Sequence, residues 1–230
     1  MTVSALQEDV LAANLALPAY GLVTLTWGNA SGIDRERGVV AIKPSGVAYP
    51  DLRAADIVVL DLDGRPVGGG GRPSTDTPTH LALYRAFPEI GGIVHTHSTW
   101  ATAWAQAGRE IPVLGTTHAD LCDGPIPLTR PLTRAQIDAD YEGETATVLI
   151  EALAERGPEA VPCALVQGHA PFCWGASPAA AVANAVTLEE VARMALLTTL
   201  LRSDSPPLPD FLRQKHYLRK HGPGAYYGQK

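Results

Sequence analysis

Two histidines separated by one residue stand in the segment Gly91–Ser98, which reads Gly-Gly-Ile-Val-His-Thr-His-Ser. The apolar pair Ile93 and Val94 indicates a short buried strand, and a strand points alternate side chains to the same face. His95 and His97 should therefore lie side by side. Imidazole suits zinc and similar divalent metals, and a catalytic metal site takes about three protein ligands and keeps one position open. This spacing predicts two ligands of a metal site.

A third histidine could complete this site. Residues 163–166 are predicted to form another interior strand, which places His169 at a strand end. We expect His95, His97 and His169 to converge on one divalent metal, with Asp76 as a further, carboxylate ligand. Such a metal acts as a Lewis acid on a carbonyl or its enolate oxygen, so carbanion chemistry beside a carbonyl becomes accessible without an organic cofactor.

Polar residues that could hold a phosphate gather in short loops. The helix predicted to begin near Thr77 would offer free N–H groups and the positive end of its dipole to an anion, although a plain capping role is the alternative for the residues ahead of it. Glycine backbone, amide, hydroxyl and ammonium groups together suit a phosphate monoester. The residues that supply these groups are Gly28, Asn29, Lys43, Ser45, Gly46, Ser74 and Thr75.

A second polar loop is predicted over residues 116–120, where Thr116 is a candidate substrate contact and Asp120 a candidate proton carrier. A tyrosine is the other candidate, provided that both groups lie within hydrogen-bond reach of the substrate. The tail from Phe211 to Lys230 is most simply a C-terminal helix followed by a frayed end.

The elements that position these residues follow from apolar periodicity and from turn signals. Thr77 is the expected N-cap of its helix, with proline at the first helical position. Strands at the start, a helix-separated strand pair in the middle and flanking helices predict a single-domain α/β/α sandwich around a mostly antiparallel sheet, over residues 1–230. The pattern predicts helices at 3–19, 77–87, 99–107, 134–156 and 178–201, and strands at 22–27, 39–42, 57–62, 93–94 and 163–166.

The composition limits the class of protein. With 230 residues, 46% of them hydrophobic and 18% charged, the chain can bury one large core. The formal net charge of −6 argues against nucleic-acid binding, which would need a basic face. Three cysteines are too few, and odd in number, for a disulfide framework. We expect a soluble, cytoplasmic protein, because the sequence has neither a signal peptide nor an apolar run of about 18 residues.

Six blocks of the sequence, in the same order, resemble the class II aldolase/adducin family, and within it the L-ribulose-5-phosphate 4-epimerases. The resemblance covers essentially the whole chain and implies a class II aldolase-like fold. The blocks are Leu22–Asn29, Ile42–Val47, Ser74–His80, Gly91–Ser98, Gly115–Asp120, and Lys215–Gly222 together with Tyr226–Gln229.

The resemblance implies a zinc-type site at the three histidines, with Asp76 beside the metal and the loop residues above lining the phosphate and substrate pocket. It also implies that Asp120 is one acid/base group and Tyr227 the other. In this family the site lies between the subunits of a fourfold tetramer. Tyr227, assisted by His216, would therefore reach the site from the tail of a neighbouring subunit, over about residues 210–230.

The activity implied by the resemblance is the interconversion of L-ribulose 5-phosphate and D-xylulose 5-phosphate. The C4 hydroxyl of the ketose loses its proton and the C3–C4 bond breaks, giving the enediolate of dihydroxyacetone and glycolaldehyde phosphate. The aldehyde then rotates and adds back through its other face. Asp120 and Tyr227 would handle the proton of the aldehyde oxygen for the two epimers.

Two alternatives stay open. A fuculose- or rhamnulose-type phosphate aldolase would share the histidines, but those relatives carry glutamate where this chain has Asp76. Asp76, Asp120 and the Tyr226-Tyr227 pair favour the epimerase. A non-catalytic, metal-stabilised binding protein would instead need a closed site with about four ligands.

Overall fold

The computed structural model describes residues 2–227, which form one seven-stranded sheet flanked by helices. Every strand pair in the sheet is antiparallel. The strands are β1 (Asn29–Asp34), β2 (Val39–Ile42), β3 (Val58–Asp61), β4 (Pro66–Gly68), β5 (Gly92–His95), β6 (Cys163–Leu165) and β7 (Pro171–Gly175). The sheet order is β4-β3-β2-β1-β5-β7-β6. The predicted sandwich around an antiparallel sheet is confirmed.

Eight α-helices accompany this sheet in the described part of the chain. The predicted helix starts at Val3, Thr99, Arg134 and Pro178 are confirmed. The helices are α1 (Val3–Ala19), α2 (Thr77–Ala86), α3 (Thr99–Gln106), α4 (Thr116–Leu121), α5 (Arg134–Leu153), α6 (Gly157–Ala160), α7 (Pro178–Leu201) and α8 (Asp210–His221). None of these helices combines the length and apolar character needed to cross a membrane.

The central strand β1 shows how the two helical layers pack. Successive strand residues point to opposite faces of a sheet. On one face, the Ser31 hydroxyl hydrogen-bonds with His80 and Tyr84 of α2, at 2.7 and 2.8 Å. On the other face, a Cβ at Gly32 would lie 2.7 Å from Cγ of Pro178 in α7, and it would also touch α1. A glycine is therefore needed where α1 and α7 cross the sheet.

The segment between α1 and β1 differs from the prediction. Residues 22–27 alternate β-formers, yet they form a turn in which Leu25 has a φ of +54° and the Trp27 N–H donates to the Thr24 carbonyl. The strand begins instead at Asn29: residues 29–32 pair with β5, and residues 31–34 pair with β2. Asn29 thus lies in the sheet, directly opposite His95, and not in a loop after a strand.

Three other boundaries also differ. Residues 116–120, predicted as a loop, belong to helix α4, which packs against α7 and α8. The N-cap of α2 is Asp76, so Thr77 is the first helical residue. Helix α5 ends at Leu153 and is interrupted at Asp140, whose φ of −164° and ψ of 85° are not helical. A turn at Asp63-Gly64 joins β3 to β4, a short strand that the sequence did not indicate.

Candidate metal centre and its cleft

Strand pairing in the middle of the sheet brings the three histidines together. His95 is the last residue of β5, and His97 follows two residues later. β5 pairs with β7, and His169 lies in the turn that leads from β6 into β7. One ring nitrogen from each histidine lies within 4.8 Å of the other two. Among residues 2–227 this is the group of histidine, cysteine and carboxylate side chains that could hold a metal ion.

The spacing of the nitrogens suits a common ion. Nε2 of His95 lies 3.2 Å from Nε2 of His169. Two nitrogens bound to one tetrahedral zinc at about 2.0–2.1 Å would be about 3.3 Å apart. Among residues 2–227 the group contains three such side chains and no fourth, which matches the open type of site, in which one position stays free for a substrate or water. The three residues therefore fit a divalent metal that has a vacant position.

The other ring nitrogens have partners that fix the orientation of two rings. Nδ1 of His95 lies 3.0 Å from the carbonyl oxygen of Pro171, which can only accept a hydrogen bond. The proton of His95 therefore belongs on Nδ1, and Nε2 keeps its lone pair for a metal. Nδ1 of His169 lies 3.0 Å from the hydroxyl of Tyr141.

Burial keeps these imidazoles neutral. Burial lowers the pKa of His169 to about 4, and repulsion from protonated His95 and His97 adds to the effect. The pKa values of His95 and His97 are also lowered, chiefly by burial, although Asp76 opposes the shift. Neutral imidazole is the form that binds metal. At neutral pH the three imidazoles are therefore already in the form that could bind a metal.

Asp76 lies beside the histidines but outside the group of three whose nitrogens converge. Its carboxylate accepts a 2.6 Å hydrogen bond from the Asn29 side-chain amide, which also donates to Ser74 Oγ at 3.0 Å. Burial raises the pKa of Asp76, but attraction to His95 and His80 and the bond from Asn29 outweigh it, so the pKa is lower than usual. Asp76 thus places a negative charge next to the imidazoles.

Lys43 directly follows β2 and is almost completely buried, with 2% of its surface exposed. Its ammonium group contacts the Pro44 carbonyl at 3.3 Å and lies 4.9 Å from the centre of the Tyr49 ring. No carboxylate pairs with this ammonium among the described residues. Burial lowers the pKa of Lys43. A buried cation of this kind is suited to an anionic ligand.

The polar loops predicted to bind phosphate surround the same cleft, which has a volume of about 540 Å³. Two backbone bonds join them: Ser45 N–H donates to the Arg72 carbonyl, and Ser74 N–H donates to that of Lys43. Gly28 is required here because it has a φ of +78° and a Cβ would meet the His95 carbonyl oxygen at 2.9 Å. The predicted residues that line the cleft are Gly28, Asn29, Lys43, Ser45, Gly46, Ser74, Thr75, Asp76, His95, His97 and His169.

Further residues line the cleft that the sequence did not indicate. Thr26 and Trp27 belong to the turn that was expected to be a strand, and Pro44 lies between two predicted residues. Tyr141 and Glu142 follow the break in α5. The helical pattern of residues 134–156 does not indicate that Tyr141 and Glu142 face the end of β5, which is distant in sequence. The only local hint is Gly143, which lies at the break.

Four predicted residues do not line this cleft: Thr116, Asp120, His216 and Tyr227. The last three gather at the surface around Arg219 of α8. Arg219 donates to both carboxylate oxygens of Asp120, at 3.1 and 2.7 Å, and lies 4.4 Å from the centre of the Tyr227 ring. Nδ1 of His216 lies 3.2 Å from Asp120 Oδ1. Burial raises the pKa of Asp120, but the bonds from Arg219 and His216 outweigh it, and the net shift is downward.

The comparisons with known proteins agree with this geometry. A family described as Class II Aldolase and Adducin N-terminal domain matches residues 8–196. The chain belongs to the class II aldolase/adducin family. The L-ribulose-5-phosphate 4-epimerase UlaF of Salmonella paratyphi C is 56% identical over 225 residues, which are 98% of this chain and 99% of that protein. The protein of the same name from Salmonella typhi is also 56% identical over the same shares.

Solved structures of this class II aldolase family have the same fold. An L-fuculose 1-phosphate aldolase superposes with a TM-score of 0.80 at 23% identity, covering 95% of this chain and 97% of that one. The L-fuculose-1-phosphate aldolase of Thermus thermophilus gives a TM-score of 0.66 at 25% identity, covering 88% and 98%. These similarities confirm the class II aldolase-like architecture predicted from the sequence.

Proposed function

We propose that the protein is a metal-dependent L-ribulose-5-phosphate 4-epimerase. The observation that carries the proposal is the position of three converging imidazole nitrogens in a cleft that also contains the ammonium of Lys43, which has no carboxylate partner among residues 2–227. The first feature suits a ketose carbonyl and the second suits a phosphate. The 56% identity to UlaF over nearly all of both chains supports this choice of substrate.

The metal is most simply zinc, held by His95, His97 and His169. When bound, such an ion polarises a carbonyl and stabilises the enediolate formed beside it, which contributes several kcal/mol of charge stabilisation. Asp76 places its carboxylate next to these ligands, and Asn29 holds that carboxylate at 2.6 Å.

The phosphate end of the substrate would lie against Lys43 and the loops joined to it. Lys43 supplies a charge-assisted bond, Ser45 and Ser74 supply hydroxyl groups, and Gly46 supplies a backbone N–H. Ser74 and Thr75 directly precede Asp76, the N-cap of α2, so the positive end of that helix dipole would also favour the anion. Together these groups would hold the phosphate and so orient the carbon chain of the sugar in the cleft.

The reaction itself is a reversible aldol cleavage. A base removes the proton of the C4 hydroxyl, the C3–C4 bond breaks, and its electron pair passes to the C2 carbonyl to form the enediolate of dihydroxyacetone. Glycolaldehyde phosphate remains anchored by its phosphate while the aldehyde carbon turns its other face. The enediolate carbon attacks this face, and an acid protonates the new C4 oxygen. The product is the C4 epimer, D-xylulose 5-phosphate.

Asp120 and Tyr227 are our candidates for the acid and base of this reaction, with His216 assisting. They gather around Arg219 in one chain and do not line the cleft of that chain. We therefore propose that all three act at the cleft of a neighbouring copy, within a fourfold homotetramer, with the tail from about residue 210 to Tyr227 forming the shared wall. This differs from the sequence-based expectation, in which only Tyr227 and His216 came from the neighbour. The rest of the predicted tail, residues 228–230, lies outside the described residues.

Mixing inactive variants tests the shared site. Tyr227→Phe protomers would lack the neighbour's acid or base, and His97→Ala protomers would lack the metal. If the two kinds of residue come from different copies, tetramers refolded from an equal mixture contain some complete sites and regain activity. Because Asp120 and Tyr227 are placed on the same copy, a mixture of Asp120→Asn and Tyr227→Phe protomers should regain less. Equal recovery from both mixtures would contradict this arrangement.

To test the function, the zinc-loaded protein is incubated with L-ribulose 5-phosphate. The reaction is followed by NMR, and the products are separated by chromatography. An epimerase gives D-xylulose 5-phosphate with little free aldehyde. Free dihydroxyacetone and glycolaldehyde phosphate as main products would identify an aldolase instead. No change in any sugar phosphate, from protein with a full complement of zinc, would support a non-catalytic metal protein.

A further inference from the structure

Helix α5 is broken at the point where it meets the cleft. The break is at Asp140, and the Oδ1 of Asp140 accepts a 3.1 Å hydrogen bond from the Gly143 N–H. This bond makes Asp140 the N-cap of the second part of the helix. A Cβ at Gly143 would overlap the Asp140 carboxylate in its capping position, so a larger residue there would displace the capping side chain. Tyr141 and Glu142, the first two residues after the break, both line the cleft.

The hydroxyl of Tyr141 lies 3.0 Å from Nδ1 of His169, and the two rings meet edge to face with centres 6.0 Å apart. When Nδ1–H donates to the Tyr141 oxygen, Nε2 of His169 keeps its lone pair and faces His95 Nε2 at 3.2 Å. The Pro171 carbonyl provides the corresponding contact for His95. His169 differs because it sits in a turn and is partly exposed, so its ring relies on a side chain from another element.

We propose that Tyr141 is a positioning residue that holds His169 in the tautomer and orientation needed to bind the metal, and that the Asp140–Gly143 cap sets the position of Tyr141. The inference rests on the proposed metal site. Partners that orient metal-binding histidines typically contribute about 10- to 100-fold in metal affinity. The contact joins α5 to the turn before β7, so the metal site depends on a residue 28 positions away in sequence.

The test measures metal binding and does not need activity. Zinc affinity would be determined by competition with a chromophoric chelator, and the geometry of the site by the visible absorption of the cobalt(II)-loaded protein. Tyr141→Phe should weaken zinc binding about 10- to 100-fold and alter the cobalt spectrum. The metal-free variant should melt and give circular dichroism like the wild type. Tyr20→Phe, a change at an exposed tyrosine outside the cleft, is the matched control.

A second pair of variants tests the cap. Asn caps a helix about as well as Asp, whereas Ala does not. Asp140→Asn should therefore keep wild-type zinc affinity, while Asp140→Ala should weaken binding although the Tyr141 hydroxyl is still present. Equal affinities for these two variants would overturn the role of the cap.

The outcomes separate this inference from the proposed function. If the wild-type protein failed to bind zinc, the metal site itself would be wrong. If the wild type bound zinc and Tyr141→Phe bound it equally well, with an unchanged cobalt spectrum, only the role of Tyr141 would be overturned. It would also be overturned if Tyr141→Phe bound zinc more weakly and, without metal, melted at a clearly lower temperature than the metal-free wild type. The hydroxyl would then support the fold and not the ligand.

Discussion

Removing the buried charge of Lys43 should weaken the binding of phosphate without harming the fold. Lys43→Met keeps most of the length and the apolar stem of the side chain but removes the ammonium. In the structure this ammonium contacts only the Pro44 carbonyl and the Tyr49 ring among the described residues. The substitution therefore breaks no ion pair. The unliganded variant should be at least as stable as the wild type, because it no longer buries a cation.

The magnitude follows from the bond that is lost. A hydrogen bond to a charged group contributes about 1.5–3 kcal/mol, which corresponds to about a 10- to 150-fold change in an equilibrium constant. The phosphate ester on C5 keeps its charge and its bonds while the C3–C4 bond breaks, so its contact with Lys43 is the same in the ground state and the transition state and the loss should appear mainly in KM. Inorganic phosphate at about ten times its Kd should stabilise the wild type by about 1.4 kcal/mol. For a chain of this size, that is a shift in Tm of about 3–6 °C.

Two assays check this prediction. Steady-state kinetics with L-ribulose 5-phosphate should give a raised KM for Lys43→Met, and thermal melts should lose most of the phosphate-dependent shift. Arg134→Met is the control, because it removes a cation that is exposed on α5 and outside the cleft. If Lys43→Met kept both its KM and its phosphate-dependent shift, Lys43 would not hold the phosphate, and the assignment of this wall of the cleft would be refuted.

Three further predictions concern the metal, the acid stability and the packing of the sheet. His97→Ala should lose bound metal and turnover, because His95 and His169 alone would hold the ion poorly. Stoichiometric metal in the purified variant would contradict this. Burial lowers the pKa of His118 to about 4, so the folded state binds fewer protons than the unfolded state, and stability is lost as the pH falls from about 6.5 towards 4. Denaturant titrations give the drop in the free energy of unfolding between pH 7 and pH 5, and this drop should be about 2 kcal/mol smaller in His118→Gln than in the wild type. An equal drop in the two proteins would be evidence against this role of His118. Gly32→Ala should destabilise the fold by about 1–3 kcal/mol, since its Cβ would lie 2.7 Å from Pro178; a wild-type melting temperature would show that α7 can move away.

The sequence predicted that His95 and His97 would lie together, because that step needed only local geometry. A period of two in a strand places His95 and His97 together, and β5 lies where Ile93 and Val94 indicated it. The third ligand needed one further assumption, that His169 follows a strand. The pairing of β5 with β7, which brings His169 to the others, could not be read from the chain because nothing in one sequence specifies which strands become neighbours.

Other features depend on contacts between distant segments. Residues 22–27 have the alternating composition of a strand, but pairing begins further along the chain. Asn29 is the first residue that pairs with β5, and Ser31 is the first that pairs with β2. Helix α4 was predicted as a loop because its six residues are too few to show a helical period, and it is stabilised by packing on α7 and α8. The sequence also did not predict that Asp120, His216 and Tyr227 gather around Arg219, because this contact joins α4 to a tail about 100 residues further along the chain. The blocks that resemble the family pointed to these three residues, but they did not indicate that the residues lie outside the cleft of their own chain.

The central claim is that the C3–C4 bond breaks and re-forms while both fragments stay in the cleft. The most direct measurement is NMR of the zinc-loaded protein converting L-ribulose 5-phosphate in D2O. Aldol cleavage and re-addition exchange no carbon-bound hydrogen, so D-xylulose 5-phosphate should form with its C3 and C4 protons retained. Deuterium at C4 of the product would mean that the carbon itself had been deprotonated, and it would contradict the mechanism proposed for this cleft.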